Sequence, residues 1–174
     1  MLLKNGKTLC IRKTEKQDAQ ELLDYLKIIG GESDYLTIGP EGVPFTLEQE
    51  EQFIETMNSS PTSLSLVGLI DDKIVSVGGL SASSNERISH QCTLGITVLK
   101  DFWSLGIGTC MMHEMIQFAK ASGKLEVIHL GVHAENTRAI DLYKGLGFEE
   151  IGRYPKFFKI NSAYFDEVLM NLYL

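Results

Sequence analysis

Two stretches of this chain hold residues whose types and spacing suit chemistry. The first is residues 103–109, with Gly106-Ile107-Gly108 at its centre; the second is residues 136–148, with Asn136 at its start and Tyr143 within it. The glycine stretch follows an apolar run at residues 94–99 and leads into an amphipathic segment. A helix beginning there presents amide N–H groups without partners and a partial positive charge, which suits a diphosphate. Glycine removes the side chains where oxygens must approach, and the amides of residues 105–109 supply donors. The second stretch adds an Asn-led segment that carries a Tyr, Tyr143. Together the stretches describe a site for a phosphate-bearing, nucleotide-like cofactor with a reactive end. The competing reading of the glycines is a simple strand-to-helix turn. Two familiar nucleotide fingerprints are missing: Met111 stands where a dinucleotide motif needs its third Gly, and no Gly-Lys-Ser/Thr ending makes a P-loop.

The flanking sequence predicts the elements that hold these stretches. Residues 8–12 alternate as a strand, and Thr14 with Gln17 forms a capping signature for a helix that Leu22, Leu23, Leu26 and Ile29 continue to Gly30-Gly31. Residues 30–44 read as a long loop of the kind that often serves as a lid. Thr46 and Gln49 cap a second helix with Phe53, Ile54 and Met57 on one side, ending near residues 58–61. Residues 63–70 and 73–80 form a hairpin around Asp71-Asp72. In the strand at 90–99, His90, Cys92, Leu94, Ile96 and Val98 share one face. A third helix at 105–121 buries Ile107, Met111, Met115 and Phe118, with Gly123 beyond its end. A strand at 125–132, a helix capped by Asn136, and strands at 148–158 and 164–172 complete the chain. The order β-α-α-β-β-β-α-β-α-β-β puts one parallel pair inside an otherwise antiparallel sheet.

The motifs then become specific. Val98, Gly106-Ile107-Gly108 and the run Asn136, Ala139, Tyr143, Gly147-Phe148 resemble the two signatures of the GNAT-type acyl-CoA N-acyltransferases, the second matching N-x-x-A-x-x-x-Y-x-x-x-G-F throughout. The resemblance implies a single α/β domain over residues 1–174 with the GNAT-like fold: a mixed, mostly antiparallel sheet of about seven strands, about four helices, and a splay between strands four and five. It implies acetyl-CoA as acyl donor, with its pantetheine arm pairing with backbone near Ile96 and Val98. The diphosphate would lie on Trp103, Ser104, Leu105, Gly106, Ile107, Gly108 and Thr109. Asn136 would contact the pantetheine or thioester arm, and Tyr143 would face the sulfur as the catalytic donor to the leaving thiolate. One position departs from the family: Trp103 stands where an Arg or Gln is usual. The activity implied is transfer of acetyl to a primary amine, of a small molecule or a peptide, by direct attack in a ternary complex. A non-catalytic acyl-CoA-binding module and a nucleotide-dependent enzyme are the alternatives.

Acyl transfer also requires the amine to lose a proton. His90, His133, Glu86 and a water relay are the candidates for that task, while His113 reads as surface. Glu32, Asp34, Tyr35 and Glu41 in the long loop suggest an acidic mouth for a cationic amine, with Asp166 and Glu167 adding to it; solvated loop charges are the plainer reading. The formal net charge of −7 fits a cationic acceptor and disfavours nucleic acid. Cys10, Cys92 and Cys110 are unpaired in pattern and far apart, so no disulfide framework and no metal site is expected. No signal-peptide core or membrane-length apolar run is present, which leads to an expected cytosolic location. A homodimer built through the strands after Phe148 is a further expectation.

Overall fold

Asp71 and Asp72 turn the chain with φ of 52° and 59°, the left-handed backbone that a two-residue hairpin needs. They join β2 (Leu64–Ile70) to β3 (Lys73–Ala82), and this hairpin anchors one half of the sheet. The computed structural model describes residues 1–174. Its other elements are β1 (Cys10–Lys13), α1 (Ala19–Glu32), α2 (Leu47–Ser59), β4 (Gln91–Val98), α3 (Ile107–Ser122), β5 (Val127–His133), α4 (Thr137–Gly145), β6 (Glu149–Ile160) and β7 (Ala163–Tyr173). The seven strands lie in the order β1-β2-β3-β4-β5-β7-β6, and only β4 and β5 run parallel. This is the element order and mixed sheet that the sequence predicts.

The parallel pair is short. Gln91, Cys92 and Thr93 pair with Val127, Ile128 and His129, and there the pairing ends. Beyond it β5 pairs with β7 from Val127–Tyr173 to His133–Glu167, while β4 stays on β3 from Cys92–Ala82 to Val98–Ser76. The expected splay is therefore a gap beside the last five residues of β4, Leu94 to Val98. Hydrogen-bonded positions alternate along an antiparallel pair, and the Leu99 N–H donates to the Val75 carbonyl just past β4. Thr97 and Gly95 follow in phase and bond toward β3. Ile96 and Val98 therefore turn their amides and carbonyls into the gap.

Helices cover both faces. The sulfur-rich face of α3, with Met111, Met112 and Met115 fully buried, packs on the sheet together with Leu80, Leu94, Ile128, Leu130 and Val132. On the other face Leu22, Tyr25 and Ile29 of α1 and Ile54 of α2 pack on Val67, Leu69 and Ile74. Burying such side chains contributes about 1.5–3 kcal/mol each, so these two clusters fix where β4 ends and α3 begins.

Several local expectations are corrected. Thr14 does not cap α1; it is buried and shares a hydrogen bond with Ser65, while Asp18, held by Arg12, accepts the Glu15 N–H at 2.7 Å. Nor does α1 stop at Gly30-Gly31. It continues to Glu32 because Gly30 has no side chain where the Gly39 carbonyl packs against it. The added turn lets the Glu32 carboxylate accept the Lys100 N–H at 2.7 Å. On α2 the cap is as predicted, but Phe53 faces outward against Phe45. On α3, Met112, Ile116 and Ala119 share the buried stripe, and Phe118 is only half-buried.

Candidate active site

The chain leaves β4 through a 3-10 turn, Lys100–Phe102, and two left-handed residues, Ser104 at φ 62° and Gly106 at φ 90°, swing it into α3. Gly106 is needed for that backbone, since L side chains rarely adopt it. Gly108 serves differently: a side chain there would press on Leu142 of α4, so this glycine lets the two helices approach. The first hydrogen bond of α3 runs from the Cys110 N–H to the Gly106 carbonyl. The amides of Ile107, Gly108 and Thr109 thus remain free, as at any helix start.

Trp103 replaces a charge with a platform. Its indole N–H donates to the Val98 carbonyl at 2.6 Å, and the Arg138 guanidinium lies over its ring with 4.6 Å to the centroid. A cation therefore does stand beside position 103, carried by α4. In the sequence Arg138 is one letter of the second motif. Its stacking joins segments far apart in the chain and left no local signal.

These parts bound one cavity of about 590 Å³. Ile96, Val98, Trp103, Ser104, Gly106, Ile107, Gly108, Thr109, Asn136 and Tyr143 all line it, together with Arg138, Phe102, Leu142, Ser33, Tyr35 and Leu36. Leu105 is the exception among the residues marked from sequence: it packs against the core beneath the turn. Asn136 uses its side-chain oxygen to cap α4 through the Ala139 N–H at 3.2 Å, which leaves its NH₂ group as the free donor. Tyr143 is buried against Phe148, and desolvation pushes its hydroxyl pKa up to about 12. The phenol therefore stays protonated at neutral pH and acts as a donor.

A smaller cavity of about 480 Å³ adjoins the first and is lined by Glu32, Asp34, Tyr35, Lys100, His133 and Phe165 among others. His133 sits among the rings of Tyr35, Phe158 and Phe165, at 5.1, 4.8 and 4.9 Å between centroids. Burial lowers its pKa, and its Nδ1 accepts the Glu135 N–H at 3.2 Å. The neutral ring then carries its proton on Nε2 and offers a donor to the cavity. The other candidates lie elsewhere. His90 marks the closed end of the β4–β5 pair, its carbonyl taken by Glu126 and Val127, and exposed Glu86 belongs to the Glu86–Ile88 turn. His113 is exposed on α3, as expected. Of the loop acids, Glu32 is engaged by Lys100 and Glu41 folds against Gly39, so Asp34 is the free carboxylate of the mouth. Asp166 accepts the Lys156 N–H at 2.9 Å.

With this geometry in hand, known proteins supply the comparison. The acetyltransferase (GNAT) family model matches residues 32–148, which include both motifs and the splay. The chain belongs to the GNAT acetyltransferase family. Among relatives, this acetyltransferase is 30% identical over 116 residues to the L-amino acid N-acetyltransferase AaaT of Escherichia coli strain K12, covering 67% of this chain and 72% of that one. A GNAT-family acetyltransferase from Streptococcus pneumoniae superposes with a TM-score of 0.94 at 30% identity, over 96% of this chain and all of the other. The yncA acetyltransferase of Salmonella typhimurium, solved with acetyl-CoA, shares the fold with a TM-score of 0.82 at 17% identity, over 95% and 94% of the two chains. As a member, the protein is an acetyl-CoA-dependent N-acetyltransferase acting on amines. The larger cavity fits that donor: residues with free helix-start amides, the Arg138 cation, and Ile96 and Val98 with their unpaired N–H groups all line it. No helix of the chain is long and apolar enough to cross a membrane.

Proposed function

We propose that this enzyme acetylates a small primary amine by direct attack within a ternary complex, with the donor in the larger cavity and the acceptor in the smaller one. The observation that carries the reading is the gap beside β4, where the free groups of Ile96 and Val98, the α3 amides and the Tyr143 hydroxyl all line a single space. The amides of Ile107, Gly108 and Thr109, with Arg138 beside them, hold the diphosphate. Ile96 offers its N–H and carbonyl to the pantetheine arm, whereas Val98 offers only its N–H because Trp103 occupies its carbonyl. The Asn136 NH₂ group donates to the same arm. Tyr143 donates a hydrogen bond to the sulfur as negative charge develops there.

The E. coli relative's name supports an acceptor of amino-acid size, and Asp34 beside Lys100 offers opposite charges for such a molecule. We read residues 1–174 as one N-acetyltransferase domain working in the cytosol. Exposed Ile151, Tyr154, Phe157 and Tyr164 on β6 and β7 support a homodimer through this edge. The test of function is thiol release from acetyl-CoA against a panel of amino acids, polyamines, amino sugars and lysine peptides. Turnover with a small amine and mass gain of one acetyl on its nitrogen is the expected result; turnover confined to peptides would move the acceptor to another class.

A further inference from the structure

The gap beside β4 opens on both faces of the sheet, and the face away from α3 has its own construction. Extending the parallel register Thr93–His129 by two residues sets Gly95 level with Gly131. Alternation turns both away from the core residues Leu94 and Leu130. A side chain at Gly95 would meet nothing within 4 Å, so the sheet is uncovered there. At Gly131 the space is taken by Glu167 of β7, whose Oε1 lies where the missing Cβ would stand. Two glycines thus leave a window through the sheet just past the end of strand pairing, with one carboxylate over its rim.

That carboxylate has no partner in the protein. No cation or amide reaches it, and burial raises its pKa from the ordinary carboxylate value. His133 lies opposite it on β5 and Phe165 lies two residues before it on β7; both line the smaller cavity. The other titratable groups facing it are His129 and His133 of β5, Glu149 and Tyr154 of β6, Tyr173 of β7 and, from the elements packed on this face, Tyr25 on Thr97 and Glu32, Asp34 and Tyr35 of the smaller cavity, while β4 presents only Gln91, Thr93, Gly95 and Thr97. Glu167 alone of the strand acids on this face lies against Gly131, since Glu149 pairs with Asn171, four residues further along β7.

Resting on the donor reading above, we propose that Glu167, set over Gly131 beside the smaller cavity, is the group that binds the acceptor's ammonium and takes its proton. The ammonium gives one proton to Glu167, which passes it to solvent. The nitrogen lone pair forms the bond to the acetyl carbon as the carbon–sulfur bond breaks, and the second proton lost by nitrogen leaves with the CoA thiol.

Steady-state thiol release and acetyl-CoA calorimetry on three variants test this. Glu167→Gln should lower kcat/KM for the amine about 100-fold and abolish the rise of kcat/KM with pH that ionisation of this carboxylate produces. His129→Gln should keep that rise. Gly95→Ala, which fits open space on unstrained backbone, should raise the amine KM several-fold, on the order of the cost of a lost close approach. All three should bind acetyl-CoA like the parent. A Glu167→Gln enzyme with parental kcat/KM and an unchanged pH profile overturns the proposal and leaves the donor site standing. Failure of the parent itself to bind acetyl-CoA overturns the donor reading and this proposal with it.

Discussion

On the side of α3 and α4, the opening between β4 and β5 is bounded by backbone amides and by residues that stand close together in two short motifs. On the side of β7 it is bounded by side chains drawn from α1, the loop after it, β5 and β7, segments that meet only in the folded sheet. Backbone donors recognise what every acyl-CoA shares, a diphosphate and an amide-bearing arm. Side chains from distant segments can change one at a time, and on the proposed reading they are the ones that choose the amine. On that proposal the chemistry common to the family lies on the first side, and whatever distinguishes this protein on the second.

Substitutions should separate these two sides in the kinetics. The largest effect expected is on the shared boundary: Tyr143→Phe should lower kcat about 100-fold while calorimetry finds acetyl-CoA binding intact. On the donor side, Arg138→Ala should weaken acetyl-CoA about tenfold, as loss of a charge-assisted contact does. Trp103→Ala should act in the same direction by removing the platform under Arg138 and freeing the Val98 carbonyl. Neither should change discrimination among amines, and an altered amine preference in either would break the comparison. On the acceptor side, Asp34→Asn should raise the KM of a cationic amine about two- to fivefold, the scale of an accessible ion pair, with acetyl-CoA affinity unchanged.

The smallest effect concerns stability and pH. Burial depresses the pKa of His133 in the folded protein, so the unfolded chain binds more protons below about pH 6.5. Its contribution is complete above that pH and is lost as pH falls through the depressed folded value. Thermal melts of the parent should therefore fall faster between pH 7 and pH 5 than those of His133→Phe, which keeps the aromatic packing without the titration. Parallel pH dependences for the two would show that His133 is not held neutral by burial.

The same contrast explains what could be read from the sequence. The element order, the Asp71-Asp72 hairpin and the capping of α2 and α4 follow from local chemistry, and each is present in the structure. The residues that line the larger cavity were legible for the same reason, apart from Leu105, which turns inward, and Arg138, which stacks on Trp103. Local signals failed where a distant group intervened. Ser65 drew Thr14 away from its cap, and the Gly39 carbonyl let α1 run through two glycines that normally end a helix. Glu167 looked like one acid among several, because only the folded sheet sets it over Gly131.

The most direct test of the account is calorimetric titration of acetyl-CoA into the purified protein, with NAD and ATP as controls. Saturable one-site binding of acetyl-CoA, weakened in Arg138→Ala and untouched in Glu167→Gln, is the result this structure predicts. Equal or tighter binding of NAD or ATP, or acetyl-CoA binding indifferent to Arg138, would contradict it.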